Sequence, residues 1–263
     1  MKTFKKIAAC LFLVFITAAI QERPIFGKKV VKDSHGAIVR GDLSQKELAL
    51  VFTSDEFADG GEIIQKVLKK NNVSAAFFLT GNFYTNPAFK SLITQLKNDG
   101  HYMGAHSDKH LLYADWEKVD SLLVSKKEFK QDLENNYKRM AAFGIKKSDA
   151  LYFLPPYEWY NSTITKWTSE AGLQLINFSP GTRSTADYTY PEMVKRYRSS
   201  EEIYNSIIEY EAKDPNGLNG FILLIHIGTD PRRKDKFYFR LDKLIKEIKS
   251  GDYDFVRLDK LLR

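Results

Sequence analysis

Short apolar runs, each followed by a stretch of helical periodicity, constrain this chain more than any other feature. Residues 48–53, 75–80, 102–105, 151–154, 173–178 and 221–227 are too short to be helices and too continuously apolar for strands with a wet face. They read as buried strands, with 254–258 as a seventh. Between them, Ile63, Ile64, Val67 and Leu68 recur at helical spacing, as do Phe89, Leu92, Ile93 and Leu96 ahead of Gly100. Phe129, Leu133, Tyr137 and Met140 mark one buried stripe on a long helix over 125–143. Further helices are expected around 164–171, over 201–212 through Ile203, Ile207 and Ile208, and around Leu241, Leu244, Ile245 and Ile248. Such alternation predicts a parallel α/β architecture, open or closed into a barrel, in which function sits at the carboxyl ends of the strands.

The first 20 residues stand apart. Lys2, Lys5 and Lys6 precede an uncharged, mostly apolar run over 7–20, and Gln21, Glu22 and Arg23 follow at once. That run is too short to span a bilayer comfortably and has the form of a signal-peptide core, so 1–19 is expected to be a cleaved signal. A retained N-terminal anchor is the alternative. Export to the periplasm or beyond the cell follows, with no stable membrane anchor after signal removal. Residues 20–45 then form an N-terminal extension and 46–263 a single catalytic domain. The one cysteine, Cys10, lies inside the apolar run and would leave with it, excluding disulfides and thiolate chemistry from the mature chain. The net charge is +7, but three of those charges belong to the first six residues. The remainder is interspersed with carboxylates, a poor footprint for nucleic acid.

Polar residues collect at the strand ends. The first strand runs into Ser54, Asp55 and Glu56, and the third into His106-Ser107-Asp108-Lys109-His110. Two histidines at i and i+4 would lie one above the other on a helical face, and two imidazoles with one carboxylate are the three protein ligands of a hydrolytic zinc site. The fourth strand ends in Pro155-Pro156-Tyr157-Glu158-Trp159, flat rigid groups suited to the wall of a carbohydrate pocket. Arg183 follows the fifth strand. His226 interrupts the apolar sixth and is suited to acid or base work near neutral pH.

The order of these pieces resembles the polysaccharide deacetylases of the NodB-homology type, carbohydrate esterase family 4. The resemblance covers about residues 46–263 and rests on the carboxylates after the first strand, His106-Ser107 to His110, Pro155-Pro156-Tyr157, and Leu224-Ile225-His226, with 75–81 matching the family's second strand. It implies a distorted (β/α)7 barrel, a divalent metal, usually zinc, and removal of acetyl groups from an acetylated glycan.

Two departures bear on mechanism. The family's first motif is Thr-Phe-Asp-Asp-Gly, whose first Asp is the base and second the metal ligand; here Phe52-Thr53-Ser54-Asp55-Glu56 admits two registers. In one, Asp55 is the base and Glu56 the ligand. In the other, Asp55 is the ligand and Ser54 replaces the base. The family's Arg-Pro-Pro-Tyr arginine, which pairs with that base, is Leu154 here. Loss of both partners of a buried charge pair is self-consistent, so the second register is preferred, with Asp55, His106 and His110 as ligands and Glu56 as a displaced base. The resemblance further implies oxyanion stabilisation by backbone near Tyr157 and protonation of the leaving atom by His226. Pro156, Tyr157, Trp159 and Arg183 are expected to meet substrate, and Asp187 or Arg183 to orient His226. Two other functions compete: a carbohydrate-binding protein on the same fold, weakened by the altered motifs, and a glycan hydrolase using Glu56 and Glu158 as a carboxylate pair.

Overall fold

The computed structural model describes residues 29–263, so the expected signal segment lies outside it. Among the described residues nine strands form one sheet: β1 (Val31–Lys32), β2 (Ile38–Arg40), β3 (Glu47–Ser54), β4 (Ala76–Leu79), β5 (Tyr102–Ala105), β6 (Tyr152–Phe153), β7 (Gln174–Leu175), β8 (Phe221–His226) and β9 (Asp254–Phe255). The spatial order is β1-β2-β8-β3-β4-β5-β6-β7, with β9 beside β3. From β8 through β3 to β7 every pairing is parallel. Eight α-helices among the described residues connect and flank the strands: α1 (Gly61–Lys70), α2 (Gly81–Thr85), α3 (Lys90–Asn98), α4 (Lys126–Ala141), α5 (Ser162–Glu170), α6 (Ser200–Lys213), α7 (Leu241–Ser250) and α8 (Leu258–Leu261). None of the described helices is long and apolar enough to cross a membrane.

Alternation along β3 sorts its side chains onto two cores. Leu48, Leu50 and Phe52 face outward with Phe77, Leu223 and Ile225 against the apolar faces of α1, α3 and α7, represented by Ile64, Ile93 and Leu244. Phe52 and Phe77 stack there at 5.0 Å, worth about 0.5–1.5 kcal/mol beyond burial. Ala49 and Val51 face inward with Phe78, Tyr102, Leu154 and Leu224 and fill the barrel. The sheet curls until its far edge returns. The Asn177 N–H donates to Ile38 O at 2.9 Å and the Ser179 N–H to Ile222 O at 3.0 Å, bringing β2 into the gap between β7 and β8. The barrel is distorted because β6 and β7 have two residues each; Pro155 and Pro156 stop β6.

Two expectations need correction, and one element was not expected. The N-terminal extension is part of the sheet, since β2 pairs with β8 through Arg40 and Phe221. Arg40 fastens it further, donating to Asn219 O at 2.7 Å and Gly217 O at 2.6 Å. The expected seventh strand is only Asp254–Phe255, parallel to the amino end of β3; Leu258, Leu261 and Leu262, spaced for a helix, then plug the barrel from below. Finally, α2 is an unforeseen turn of helix started by Thr80, whose hydroxyl accepts the Phe83 N–H. The register Thr53↔His226, Ser54↔Leu79, Leu79↔Ala105 and Ala105↔Phe153 aligns the carboxyl ends of β3 to β6 and β8 at one rim.

Candidate active site

A pocket of about 800 Å³ opens at that rim. Its floor and sides include Thr53, Ser54, Asp55, His106, His110 and His226, so the expected polar residues converge.

The two histidines are not on a helix. Ser107 (φ 76°) and His110 (φ 53°) turn the segment into a loop instead. Its carbonyls are taken by the first amides of α2, Gly81 N to Ser107 O at 3.0 Å and Asn82 N to Asp108 O at 3.1 Å. One face of α4 holds it from the other side. Asn136 Oδ1 accepts the His106 N–H at 2.9 Å, and Asp132 accepts the Lys109 N–H at 3.0 Å and the Tyr113 hydroxyl at 2.7 Å. These contacts set the imidazoles of His106 and His110 side by side, centroids 5.2 Å apart. His106 Nδ1 lies 2.8 Å from Leu154 O; with the proton on Nδ1 donated to that carbonyl, Nε2 is left as a free donor atom. Burial holds the His106 pKa well below the usual imidazole range, and His110 and His226 push it the same way. His110 is lowered as well, chiefly by burial. Both are therefore neutral at pH 7, the state a metal requires.

Asp55 stands at the carboxyl end of β3, and its charge raises the His110 pKa against burial. Its Oδ1 accepts from Thr80 Oγ1 at 2.7 Å and Asn82 Nδ2 at 3.0 Å. Among the described residues no group of three or more His, Cys, Asp or Glu side chains is already arranged to hold a metal ion. The three residues expected as ligands thus line one pocket, with Asp55 hydrogen-bonded to Thr80 and Asn82 at α2. The donor chemistry of two neutral imidazoles and one carboxylate still suits a divalent cation.

The altered motifs form an uncharged floor. Thr53 is buried with no hydrogen-bond partner for its Oγ1, and Ser54 Oγ donates to Phe57 O at 2.5 Å. Leu154 lies fully inside the barrel core.

His226 has a definite orienting partner, and it is Asp187. The carboxylate sits 2.6 Å from Nδ1 through Oδ1 and accepts the His226 N–H through Oδ2 at 2.8 Å. Burial would lower the His226 pKa, but the charge and hydrogen bond of Asp187, with Glu158 adding, outweigh it and leave the pKa raised. Arg183 does not reach the imidazole; its N–H donates to Ser206 Oγ at 3.0 Å, and its side chain is not part of the pocket lining.

Of the other expected substrate contacts, Tyr157 lines the pocket and packs on His110 at 4.3 Å. Pro156 is buried behind it, and Trp159 acts one layer back, 5.4 Å from Trp116. Trp116, 54% exposed at the mouth, was not singled out by the sequence; nor were Tyr188, Tyr190, Arg196 and Arg232 on the opposite wall. Glu56 lines the pocket from an exposed position, whereas Glu158 carries a carboxyl whose pKa burial pushes up to about 7, His226 opposing and Asp187 reinforcing the shift.

Comparison with known proteins bears on this arrangement. The family model for polysaccharide deacetylase matches residues 40–176, just over half of the chain. The peptidoglycan-N-acetylglucosamine deacetylase of Bacillus cereus is 24% identical over 226 residues, which cover 85% of this chain and 70% of that protein. Among solved structures, a carbohydrate esterase family 4 pseudoenzyme from Bacillus anthracis superposes with a TM-score of 0.66 at 18% identity, covering 88% of this chain and 70% of its own. A family 4 acetyl xylan esterase from Clostridium thermocellum, solved with a cobalt ion, gives a TM-score of 0.61 at 22% identity over 82% of this chain and 89% of its own. These structural likenesses establish the distorted (β/α)7 barrel.

Proposed function

The chain belongs to the polysaccharide deacetylase family, and we propose that it is an exported, divalent-metal-dependent hydrolase that removes acetyl groups from an acetylated polysaccharide or oligosaccharide. The observation that carries this reading is the convergence, in one pocket, of the neutral His106–His110 pair beside Asp55 and of His226 backed by Asp187. The histidine pair suits a metal and His226 suits proton delivery; an acetyl-transfer site to water needs both.

A divalent cation held by Asp55, His106 and His110, with zinc the first choice for such donors, would supply a Lewis acid for the acetyl carbonyl and an acidified water. Asp187 fixes the His226 proton on Nδ1 in its own hydrogen bond, so a protonated imidazole presents its Nε2 proton to the leaving sugar oxygen or nitrogen. Backbone near Tyr157 stabilises the oxyanion. Tyr157 and the Trp116–Trp159 pair form the flat wall on which a sugar ring lies. Three pocket carboxyls other than Asp55 line the site; Asp230 is engaged by the Arg232 guanidinium, which leaves Glu56 at the rim and Glu158 within to accept the proton of water.

The test is metal content and acetate release for the wild type, His106→Ala and Asp55→Ala, on acetylated xylan and on an N-acetylglucosamine oligomer. The reading expects bound metal and acetate from the wild type, loss of both in His106→Ala, and loss of activity on chelation reversed by added divalent cation. Undiminished release by metal-free His106→Ala would sink the metal mechanism. The altered first and third motifs keep a second reading in play, a glycan-binding protein without activity. Metal bound by the wild type with no acetate from any substrate would support it.

A further inference from the structure

We propose that Glu158 is a further catalytic residue of this site, the carboxylate that takes the proton from the attacking water; the proposal rests on the deacetylase reading above. Tyr157 (φ 60°) and Glu158 (φ 54°) are consecutive non-glycine residues in the left-handed region, a costly pair that persists only where the surroundings enforce it. The surroundings do so. The Glu158 N–H donates to Pro155 O at 3.1 Å, and Glu158 O accepts from Asn177 Nδ2 at 2.9 Å. A glycine would hold this backbone without strain, yet the chain places here a carboxyl that lines the pocket.

That carboxyl, on a half-buried residue lining the pocket, makes no hydrogen bond or ion pair with a described side chain. The titratable groups around it are His226 on β8, Asp187 on the segment after β7, and, lining the same pocket, Asp55, Glu56, His106, His110, Tyr157, Tyr188, Tyr190 and Asp230, the last paired with Arg232; Arg196 and Arg232 belong to the opposite wall. Burial raises its pKa to about 7, so near neutral pH it exchanges protons readily and its anion is a stronger base than an exposed carboxylate. Its competitors are worse placed. The Ser54 hydroxyl is committed to Phe57 O, Asp55 Oδ1 to Thr80 and Asn82, and Glu56 is exposed.

The step balances within the pocket. A water oxygen forms the bond to the acetyl carbon as one of its O–H bonds breaks and the proton passes to Glu158. The bond from the acetyl carbon to the sugar nitrogen or oxygen then breaks, and that atom takes the Nε2 proton of His226. Acetic acid departs, and the proton on Glu158 passes to His226, restoring both groups. The Glu158 carboxylate also stabilises the His226 imidazolium, so the donor and acceptor are tuned together.

The experiment compares full-length wild type, E158Q and E158G, metal-loaded, on the same two acetylated substrates across pH. E158Q is expected to lose about 10²- to 10⁴-fold in kcat/KM. It should also lose the acid-side limb near pH 7, with metal content and KM little changed. E158G, relieved at its positive φ, is expected to melt no lower than the wild type while being equally impaired, which separates chemistry from folding. Infrared titration of carboxyl groups should show one group near pH 7 in the wild type that E158Q removes. An E158Q enzyme with wild-type kcat/KM, or with its acid limb intact, overturns the proposal alone. A wild type that releases no acetate from either substrate overturns the deacetylase reading and this step with it.

Discussion

The imidazole of His226 and the carboxylate of Asp187, 39 positions apart in the chain, meet at 2.6 Å, and a second bond from the His226 N–H to the same carboxylate fixes their relative orientation. Asp187 thereby sets both the tautomer and the charge of the group that faces the leaving atom.

Replacing Asp187 by Asn removes the charge that raises the His226 pKa against burial. The acid function requires protonated His226, so activity falls as pH rises through its pKa. In Asp187→Asn that alkaline limb moves to lower pH, and kcat at pH 7 drops by about 10²-fold or more. Stability follows the same sign. With its folded pKa raised, His226 contributes stability that is full below its unfolded value near 6.5 and is lost as pH rises through the folded one. Paired pH profiles of kcat/KM and of thermal midpoint for the two proteins measure both effects.

Asn136 is fully buried and divides its amide between the His106 N–H and, through Nδ2, Leu79 O at 3.2 Å. Asn136→Ala leaves one backbone donor and one acceptor unpaired, at about 1–3 kcal/mol. A domain of this size should melt about 2–4 °C lower for each kcal/mol. Calorimetry checks this, and a midpoint unchanged within a degree or so would show that the loop is held by other contacts.

His101 provides an acid-side counterpart away from the site. Its Nδ1 accepts the Ala75 N–H at 3.2 Å, and burial lowers its pKa despite the nearby charge of Asp99. The unfolded chain binds the extra proton first, so stability is lost as pH falls below about 6.5. His101→Gln keeps an acceptor for Ala75 and removes the titration. The slope of stability against pH between 6.5 and 5 should become shallower, as read from urea midpoints.

Trp116, half exposed at the mouth, packs on Tyr157 at 5.6 Å and on Trp159. Trp116→Ala should raise KM for an acetylated oligosaccharide about 3- to 10-fold, the scale of one lost aromatic contact. The change in kcat and thermal midpoint should be small. An unaltered KM would place the glycan on the Tyr188 and Tyr190 wall instead.

The fold was largely legible because its strands are buried on both faces. Runs such as Leu48 to Phe52 and Phe221 to Ile225 leave no polar alternation to confuse them with surface strands, and α4 begins where Ser125 and Glu128 close a capping box. What escaped was short or decided by neighbours. Strand β2 is three residues that gain their place from Phe221 and from Arg40 reaching the Gly217 and Asn219 carbonyls. The His106–His110 spacing suggested a helical face; the pairing is real, but a loop with two positive φ values produces it, held by Asp132 and Asn136 of α4, which no local pattern marks.

By itself the sequence determined a parallel α/β architecture, its closure into a barrel being implied only by the family resemblance, the rim at which Asp55, His106, His110, Tyr157 and His226 gather, and that no cysteine follows residue 10. Those follow from periodicity, and from the rule that strand ends in such sheets share one edge. Tertiary structure alone decided that Asp187 and not Arg183 backs His226, that Asp55 leans on Thr80 and Asn82, and that Glu158 is the pocket carboxyl with a raised pKa. The reason is physical. Burial and charge at a site are set by groups brought together from distant segments, and neither quantity is written in the spacing of residues along one segment.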